Sequence, residues 1–144
     1  MNTYDADVVL SWSLPYRDRD DPRWNYSLGL YAYLRPRGME ILYIGKVYGC
    51  TVWQRLGARD KKQLWVHLER NCGIRGIRVI VGEFRTTLMR TRQLVQDVES
   101  LLIYSIKPCC NIQARTARNI SRPGLVVRCQ GGAWPHPHRT FRDE

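Results

Sequence analysis

The feature that most constrains the fold of this chain is a pair of strand-like segments separated by a short connection. Residues 28–34 (LGLYAYL) and 40–45 (EILYIG) are rich in aromatic and branched side chains, and the connection 35–39 (RPRGM) contains Pro and Gly. Pro and Gly favour tight turns between strands. The three segments together therefore predict an antiparallel β-hairpin.

The register of this hairpin decides which side chains share a face. If Leu34 pairs with Glu40, Tyr31 lies directly opposite Tyr43, with Cβ atoms about 5 Å apart. A cross-strand aromatic pair by itself is more often sheet packing than chemistry. The opposite face is the expected core face. Its apolar residues are Leu28, Leu30, Ala32, Leu34, Leu42 and Ile44.

Apolar periodicity along the rest of the chain predicts one domain with flanking segments. We expect the element order β-β-α-α-β-α over residues 28–113, preceded by an N-terminal arm (1–27) and followed by a basic, largely irregular C-terminal extension (114–144). A brief apolar alternation in the arm allows one short strand. Beyond the hairpin, the predicted elements are helices at 51–58 and 61–72, a strand at 76–84 and a helix at 87–106.

The formal net charge of +10 is concentrated in the middle and the tail of the chain. Residues 45–92 contain eleven Lys or Arg against three acidic residues, and residues 115–144 contain six Arg against two. Residues 1–27 are slightly acidic. This distribution suits a polyanionic partner, most simply the phosphate backbone of a nucleic acid. The alternative is a solvated basic surface with no partner.

Several classes of protein are disfavoured by the sequence. No apolar run approaches the roughly 20 residues of a membrane helix, and the N-terminus does not resemble a secretory signal. We therefore expect an intracellular, cytoplasmic protein (nucleoid-associated if prokaryotic) with no membrane partner. The five cysteines follow no regular framework and are expected as reduced thiols. The one group that suggests zinc is Cys129 with His136 and His138.

Glu99 occupies an unusual position on the last predicted helix. The residues one turn away are apolar except for Gln96, namely Val95, Leu102 and Ile103. A carboxylate among apolar side chains costs free energy unless it is paired or holds a cation. Mg²⁺ is satisfied by one or two carboxylates with water and phosphate oxygens. The alternative is a boundary glutamate that reaches solvent or pairs with a nearby arginine.

Basic residues follow the hairpin at once. Lys46 ends its second strand, and Arg55 and Arg59 share one face of the next helix at the i, i+4 spacing. Two like charges at that spacing are mildly destabilising in a bare helix. A nearby phosphate would explain them, and an unpartnered solvated face is the alternative.

These motifs together resemble those of a known family. The segments GLY at 29–31 and YIGK at 43–46 resemble the paired signature of the GIY-YIG nucleases, with Leu where the first motif usually has Ile. The resemblance continues with Arg55 after the hairpin, Glu99 on the late helix and Asn111 beyond it. Both motifs at hairpin spacing, followed by these residues in order, make a fairly specific signal.

The resemblance implies a fold and an activity. The fold would be a three-stranded antiparallel sheet flanked by helices, and the activity hydrolysis of DNA phosphodiester bonds with a single Mg²⁺ or Mn²⁺. Glu99 would hold the metal beside the scissile phosphate, and Arg55 would stabilise charge on the phosphoryl oxygens. Tyr31 would activate or orient the attacking water, with Tyr43 beside it.

Two further residues take roles by the same resemblance. Lys46 would lower the pKa of a phenol or contact phosphate, because a phenol near pKa 10 is a poor base at neutral pH without cationic neighbours. Asn111 would fix the geometry of the site by hydrogen bonds, and its alternative is an asparagine in a loop turn.

One position departs from the family pattern. Many members have His or Tyr one helical turn after the catalytic Arg, and this chain has Arg59 there. A guanidinium cannot accept a proton, so the general base is left unassigned. His67 on the second predicted helix is a candidate substitute, and an ordinary surface or core histidine is the alternative.

The partner expected from the resemblance is DNA rather than RNA, with the oligomeric state left open. The competing hypothesis is a nucleic-acid-binding module on the same scaffold that cleaves slowly or not at all. In the tail, Trp134 and Phe141 would either stack on a base or tie the tail to the domain. The residues expected to contact nucleic acid are Lys46, Arg59, Lys61, Lys62, Arg115 and Arg118.

Overall fold

The structure is a computed structural model that describes most of the 144-residue chain. The described residues are 7–18, 20–57, 59–71, 73–85, 89–111, 120–132 and 134–143, and the side chains at 59–61 and 71 lie outside the description.

Six strands form one mixed sheet in the order β3-β2-β4-β1-β5-β6. Strands β1 and β5 pair in parallel, and the other four pairings are antiparallel. The strands are β1 (Val8–Trp12), β2 (Leu28–Leu34), β3 (Ile41–Tyr48), β4 (Arg78–Arg85), β5 (Val126–Gln130) and β6 (Thr140–Arg142). The helices are α1 (Val52–Leu56), α2 (Arg59–Val66) and α3 (Arg92–Ile106), with a 3-10 turn at Pro22–Asn25 and a π-helical turn at His67–Asn71.

The prediction of a three-stranded antiparallel sheet is wrong. Strands β3, β2 and β4 are antiparallel, but they form one half of a six-stranded mixed sheet. The segment predicted as an arm supplies β1, which covers the edge of β4, and the tail predicted as irregular supplies β5 and β6. An uncovered strand edge exposes unpaired N–H and C=O groups, so adding β1 satisfies backbone groups of β4.

The predicted hairpin is present, but its register differs from the expected one. Tyr33, not Tyr31, lies opposite Tyr43, and Tyr31 lies opposite Gly45. Leu34 pairs with Ile41 rather than with Glu40, and a bulge between Tyr33 and Leu34 shifts the pairing by one further residue. A bulge sets two residues of one strand against one of the other, so the simple count of pairs back from the turn fails.

The two faces of the sheet carry separate apolar clusters. One face packs against α3 and includes Leu30, Ile44 and Trp134. The other carries the tyrosines of the hairpin with Leu42 and residues of the short helices. The expectation that Leu42 shares the face of Ile44 is therefore wrong, because the bulge turns Leu42 to the tyrosine side.

Threonine caps define where two helices begin. The side chain of Thr51 accepts a hydrogen bond from the Gln54 N–H at 3.0 Å and starts α1 as expected. The Thr91 hydroxyl accepts from the Leu94 N–H at 3.1 Å, so α3 begins later than the sequence indicated. The helix expected at 61–72 begins at Arg59 and gives way to the π-helical turn at His67. None of the described helices is long and apolar enough to cross a membrane.

Aromatic residues tie the C-terminal segment into the core. Trp134 is 4% exposed, and its ring lies 5.1 Å from that of Trp12, measured between centroids. Its indole N–H donates to the carbonyl oxygen of His138 at 2.8 Å. Phe141 is also buried. These contacts leave the two rings no role as base-stacking surfaces, and they support the alternative in which the tail is anchored to the domain.

We expect Trp134→Ala to destabilise the protein by about 3–5 kcal/mol, because it removes a buried aromatic side chain and leaves a cavity. Urea unfolding followed by circular dichroism measures the change. Trp53→Ala is the matched control, because Trp53 is 38% exposed, so its replacement removes less buried surface and should cost less than that of Trp134. Equal losses in the two variants would contradict the anchoring role of Trp134.

Candidate active site

A cleft of about 280 Å³ lies at the edge strand β3 and gathers most of the predicted catalytic residues. It is lined by Tyr31, Tyr43, Lys46, Tyr48, Cys50, Arg55, Arg92 and Glu99. A larger groove of about 450 Å³, on the β1 and β4 side of the sheet, contains none of the predicted site residues. The cleft at β3 is therefore the candidate site.

The tyrosines reach this cleft from the face opposite α3. The ring centroid of Tyr31 lies 6.2 Å from that of Tyr43, and Tyr33 lies 5.6 Å from Tyr31 and 5.5 Å from Tyr43. The rings of Tyr31 and Tyr43 are thus diagonal neighbours, and Tyr33, which was not expected at the site, completes the cluster. Diagonal cross-strand partners remain within reach of aromatic side chains.

Gly45 makes room for Tyr31. A methyl group built on Gly45 would overlap the Tyr31 ring, with Cε1 only 2.8 Å and Oη 2.5 Å away. The ring therefore lies across β3 where that strand has no side chain. This contact explains physically why the Tyr-Ile-Gly segment ends in glycine at the position opposite Tyr31.

Glu99 enters the cleft from α3, on the other face of the sheet. It is 4% exposed, so it does not reach out to solvent. The Nζ atom of Lys46 lies 3.5 Å from its Oε1 atom. Lys46 is half-buried on β3. Glu99 thus has a cationic neighbour, but this neighbour is a lysine and not the arginine considered as an alternative from the sequence.

Two arginines stand on different sides of the cleft. Arg55, on α1, is half-buried, and Arg92, at the start of α3, is exposed. The Arg92 guanidinium lies 4.7 Å from the centre of the Tyr48 ring. The sequence did not indicate Arg92, Tyr48 or Cys50 as residues of the cleft. Arg92 gave no local signal, because the helix was expected to begin at residue 87, and its first turn would then not include Arg92.

The hydroxyl of Tyr31 is buried, and the neighbouring Tyr33 hydroxyl interacts with it. Burial raises the pKa of Tyr31 well above its ordinary value of 10; the neighbouring tyrosines and Glu99 act in the same direction, and Arg55 partly opposes them. Tyr31 is therefore a neutral phenol at physiological pH. It can donate a hydrogen bond into the site, but its ionisation is disfavoured.

Asn111 lies beside the cleft rather than in its lining, and it is 2% exposed. Its Oδ1 atom accepts a hydrogen bond from the Ile44 N–H at 2.8 Å, and its Nδ2 donates to the Ile44 carbonyl oxygen at 2.9 Å. The side chain thereby pairs with the outer edge of β3 as a neighbouring strand would. It fixes the backbone between Tyr43 and Gly45.

Of the other residues expected to contact nucleic acid, only the side chain of Lys62 is among the described ones. Lys62 is exposed on α2 and does not line it. Arg59 and Lys61 belong to α2, but their side chains lie outside the described part, and Arg115 and Arg118 fall outside the described residues altogether. His67, the candidate substitute base, is exposed and is not among the cleft residues.

The donor atoms of the cleft suit a hard cation better than zinc. Glu99 is the one carboxylate among the described cleft residues, the tyrosines add hydroxyl oxygens, and Cys50 adds the one sulfur. Mg²⁺ and Mn²⁺ bind oxygen ligands, and Mg²⁺ commonly uses one or two carboxylates and keeps several waters. The described residues contain no cluster of three or more His, Cys, Asp or Glu side chains arranged for a metal, including around Cys129.

No protein-family model matches the chain, and comparison with curated proteins and with solved structures gave no match. We therefore infer its function from the residues of the cleft.

We expect Gly45→Ala to displace the Tyr31 ring and to destabilise the protein by about 1–3 kcal/mol through steric overlap. Urea unfolding measures the loss. Gly132→Ala is the matched control, because a methyl group there meets no atom within 4 Å. Its effect should stay within about 0.5 kcal/mol. A Gly45→Ala protein as stable as the wild type would show that Tyr31 does not lie over Gly45.

Proposed function

We propose that this protein is an endonuclease that hydrolyses DNA phosphodiester bonds with a single divalent metal ion bound at Glu99. The observation that supports this most directly is the burial of the Glu99 carboxylate in a cleft that also holds Arg55, Arg92 and Lys46. A buried carboxylate costs several kcal/mol of desolvation unless cations or hydrogen bonds compensate it. A site with one such carboxylate and several cations suits a metal ion together with a phosphodiester.

The charge of the cleft favours an anionic substrate. Three cationic side chains face one carboxylate, so a net positive charge remains when Lys46 pairs with Glu99. The guanidinium fork of Arg55 is suited to the phosphoryl oxygens, because it can donate two parallel hydrogen bonds. Arg92, exposed at the rim, would contact a neighbouring phosphate.

Glu99 would hold the metal ion, with the Tyr31 hydroxyl beside it. When bound, the ion would neutralise charge on the scissile phosphate and make a water molecule more acidic. Arg55 stabilises the charge that develops on the phosphoryl oxygens in the transition state. Lys46 neutralises part of the Glu99 charge and donates to phosphate when the ion pair opens.

The tyrosines orient rather than abstract protons. Because burial raises the Tyr31 pKa, its hydroxyl remains a donor and holds the attacking water or a phosphate oxygen in place. Tyr43 flanks it within the same aromatic cluster. Asn111 acts through the backbone of β3 as a positioning residue. These roles keep the residues of the GIY-YIG resemblance, but Tyr31 orients the attacking water and does not accept its proton.

A second candidate function is a DNA-binding module that does not cleave. Two observations favour it. Lys46 already neutralises Glu99 at 3.5 Å, and ionisation of Tyr31 is disfavoured. Such a protein would keep the basic cleft as a phosphate-binding surface.

A plasmid-nicking assay with Mg²⁺ separates the two candidates. We expect Glu99→Gln to lower the nicking rate by at least about 10²-fold, because it removes the charge that holds the metal. Arg55→Lys should cause a loss of similar order, since it keeps the charge and removes the bidentate fork. Urea unfolding of each variant shows whether the fold is kept.

Two matched controls use the same substitutions outside the cleft. Glu40→Gln and Arg35→Lys alter an exposed ion pair in the hairpin turn and should nick at the wild-type rate. Wild-type protein that binds DNA in a salt-sensitive manner but shows no metal-dependent nicking would refute the nuclease proposal. Unchanged nicking by Arg55→Lys would refute the assigned role of Arg55.

Arg92→Ala should weaken DNA binding uniformly across sequences and lower the slope of log K against log salt by about 1, because one phosphate contact is lost. Fluorescence anisotropy over a series of salt concentrations measures the slope. Arg142→Ala is the control, since Arg142 is exposed on β6 at the opposite edge of the sheet. An equal change of slope in both variants would contradict a specific contact at Arg92.

A further inference from the structure

Two adjacent cysteines lie in the turn that follows α3. The Sγ atoms of Cys109 and Cys110 are 3.4 Å apart; Cys109 is exposed and Cys110 is half-buried. Both are reduced thiols in this structure. The turn is closed by a hydrogen bond from the Asn111 N–H to the Pro108 carbonyl oxygen at 3.2 Å. A pair of neighbouring thiols, one of which is exposed, is chemically distinct from the buried Cys129 on β5.

This turn is attached directly to the edge strand of the candidate site. The Cys110 N–H donates to the Leu42 carbonyl oxygen at 3.0 Å. The Asn111 side chain makes its two hydrogen bonds with the backbone of Ile44. The turn is therefore hydrogen-bonded to β3 at Leu42 and Ile44, the residues on either side of Tyr43. A change in its shape would be transmitted to two residues that form the cleft.

A disulfide between adjacent residues requires such a change of shape. Consecutive Cα atoms across a trans peptide are about 3.8 Å apart, whereas bridged cysteines usually have Cα atoms about 4.4–6.8 Å apart. Bond formation within the turn would therefore distort the backbone between Cys109 and Asn111. A strained, exposed disulfide is also more easily reduced than a structural one, so the modification would be reversible.

We propose that Cys109 and Cys110 are a reversible oxidation site that a disulfide oxidant converts to an intramolecular disulfide, releasing the hold of Asn111 on β3. With oxidised glutathione, the deprotonated Cys109 sulfur attacks one sulfur of the oxidant and releases one glutathione thiolate. The deprotonated Cys110 sulfur then attacks the Cys109 sulfur and releases the second glutathione. Two protein thiols are oxidised, and one external disulfide is reduced to two thiols.

The consequence for the cleft follows from the lost hydrogen bonds. Without Asn111, the Ile44 N–H and C=O on the outer edge of β3 lose their partners, and the strand is freer to move at Tyr43 and Gly45. A misplacement of about 1 Å at a reacting centre can cost about 10²-fold in rate. Oxidation should therefore inhibit cleavage while leaving the basic residues able to bind DNA. This last step rests on the proposed nuclease function.

The first measurement is independent of activity. The full-length protein is treated with oxidised glutathione, and intact mass with peptide mapping should locate the loss of two hydrogens to Cys109 and Cys110. Amide hydrogen exchange, read by NMR, should become about tenfold faster at Ile44. Exchange at Ile80, in the sheet interior on β4, should not change. Cys109→Ser and Cys110→Ser should show neither effect, and dithiothreitol should reverse both in the wild type.

The second measurement is the nicking rate of reduced and oxidised protein. We expect oxidation to lower the wild-type rate by about 10²-fold and to leave Cys109→Ser unaffected. Absence of the intramolecular disulfide would overturn the oxidation site, and unchanged exchange at Ile44 would overturn its coupling to β3. Equal inhibition of Cys109→Ser would assign the effect to another thiol, such as Cys50. If neither form nicks DNA, the proposed function fails, while mass and exchange still decide this inference.

Discussion

The arrangement of the cleft depends on how the edge strand β3 is held. Its inner side pairs with β2, and its outer side is held by the Asn111 side chain and the Cys110 amide. An edge strand without such partners is free to slip or fray, because half of its backbone groups are satisfied by solvent alone. Fixing β3 on both sides sets Gly45 beneath Tyr31 and directs Lys46 toward α3.

The gap at Gly45 explains how one cleft draws residues from both faces of a sheet. Tyr31 belongs to the face opposite α3, and Glu99 comes from α3 itself. A side chain at Gly45 would occupy the place of the Tyr31 ring. Since β3 is the last strand, nothing in the sheet lies beyond it to separate the two sets of residues. The site therefore belongs to a sheet edge rather than to a sheet face.

Local patterns predicted the elements well and their pairing poorly. The spacing of apolar residues, every second residue in strands and every third or fourth in helices, located β2, β3, β4 and α3 to within a few residues. Burial of one face imposes these spacings. The predicted register is wrong by one residue at the turn, where Leu34 pairs with Ile41, and by one more at the adjacent bulge, and apolar alternation reveals neither shift. Strands β5 and β6 were missed because a five-residue and a three-residue strand carry little periodic signal and depend on partners distant in the sequence, such as β1.

The candidate site shows the same division between local and tertiary information. Tyr31, Tyr43 and Arg55 were expected from motif spacing, and they do line one cleft. Arg92 and Tyr48 could not be added from the sequence, because their place depends on how α3 crosses β3. The Lys46–Glu99 pair likewise joins residues 53 positions apart. Such contacts depend on how α3 packs against β3, and the spacing of residues along the sequence does not give that packing.

Glu99 carries more weight for function than the tyrosines do. An aromatic cluster in a sheet lowers the free energy of the fold whether or not it does chemistry, so Tyr31, Tyr33 and Tyr43 are explained by burial alone. A 4% exposed carboxylate costs free energy to bury unless cations or hydrogen bonds compensate it, and the Nζ atom of half-buried Lys46 lies 3.5 Å from its Oε1 atom. The proposed metal-binding role beside a phosphate would account for that cost.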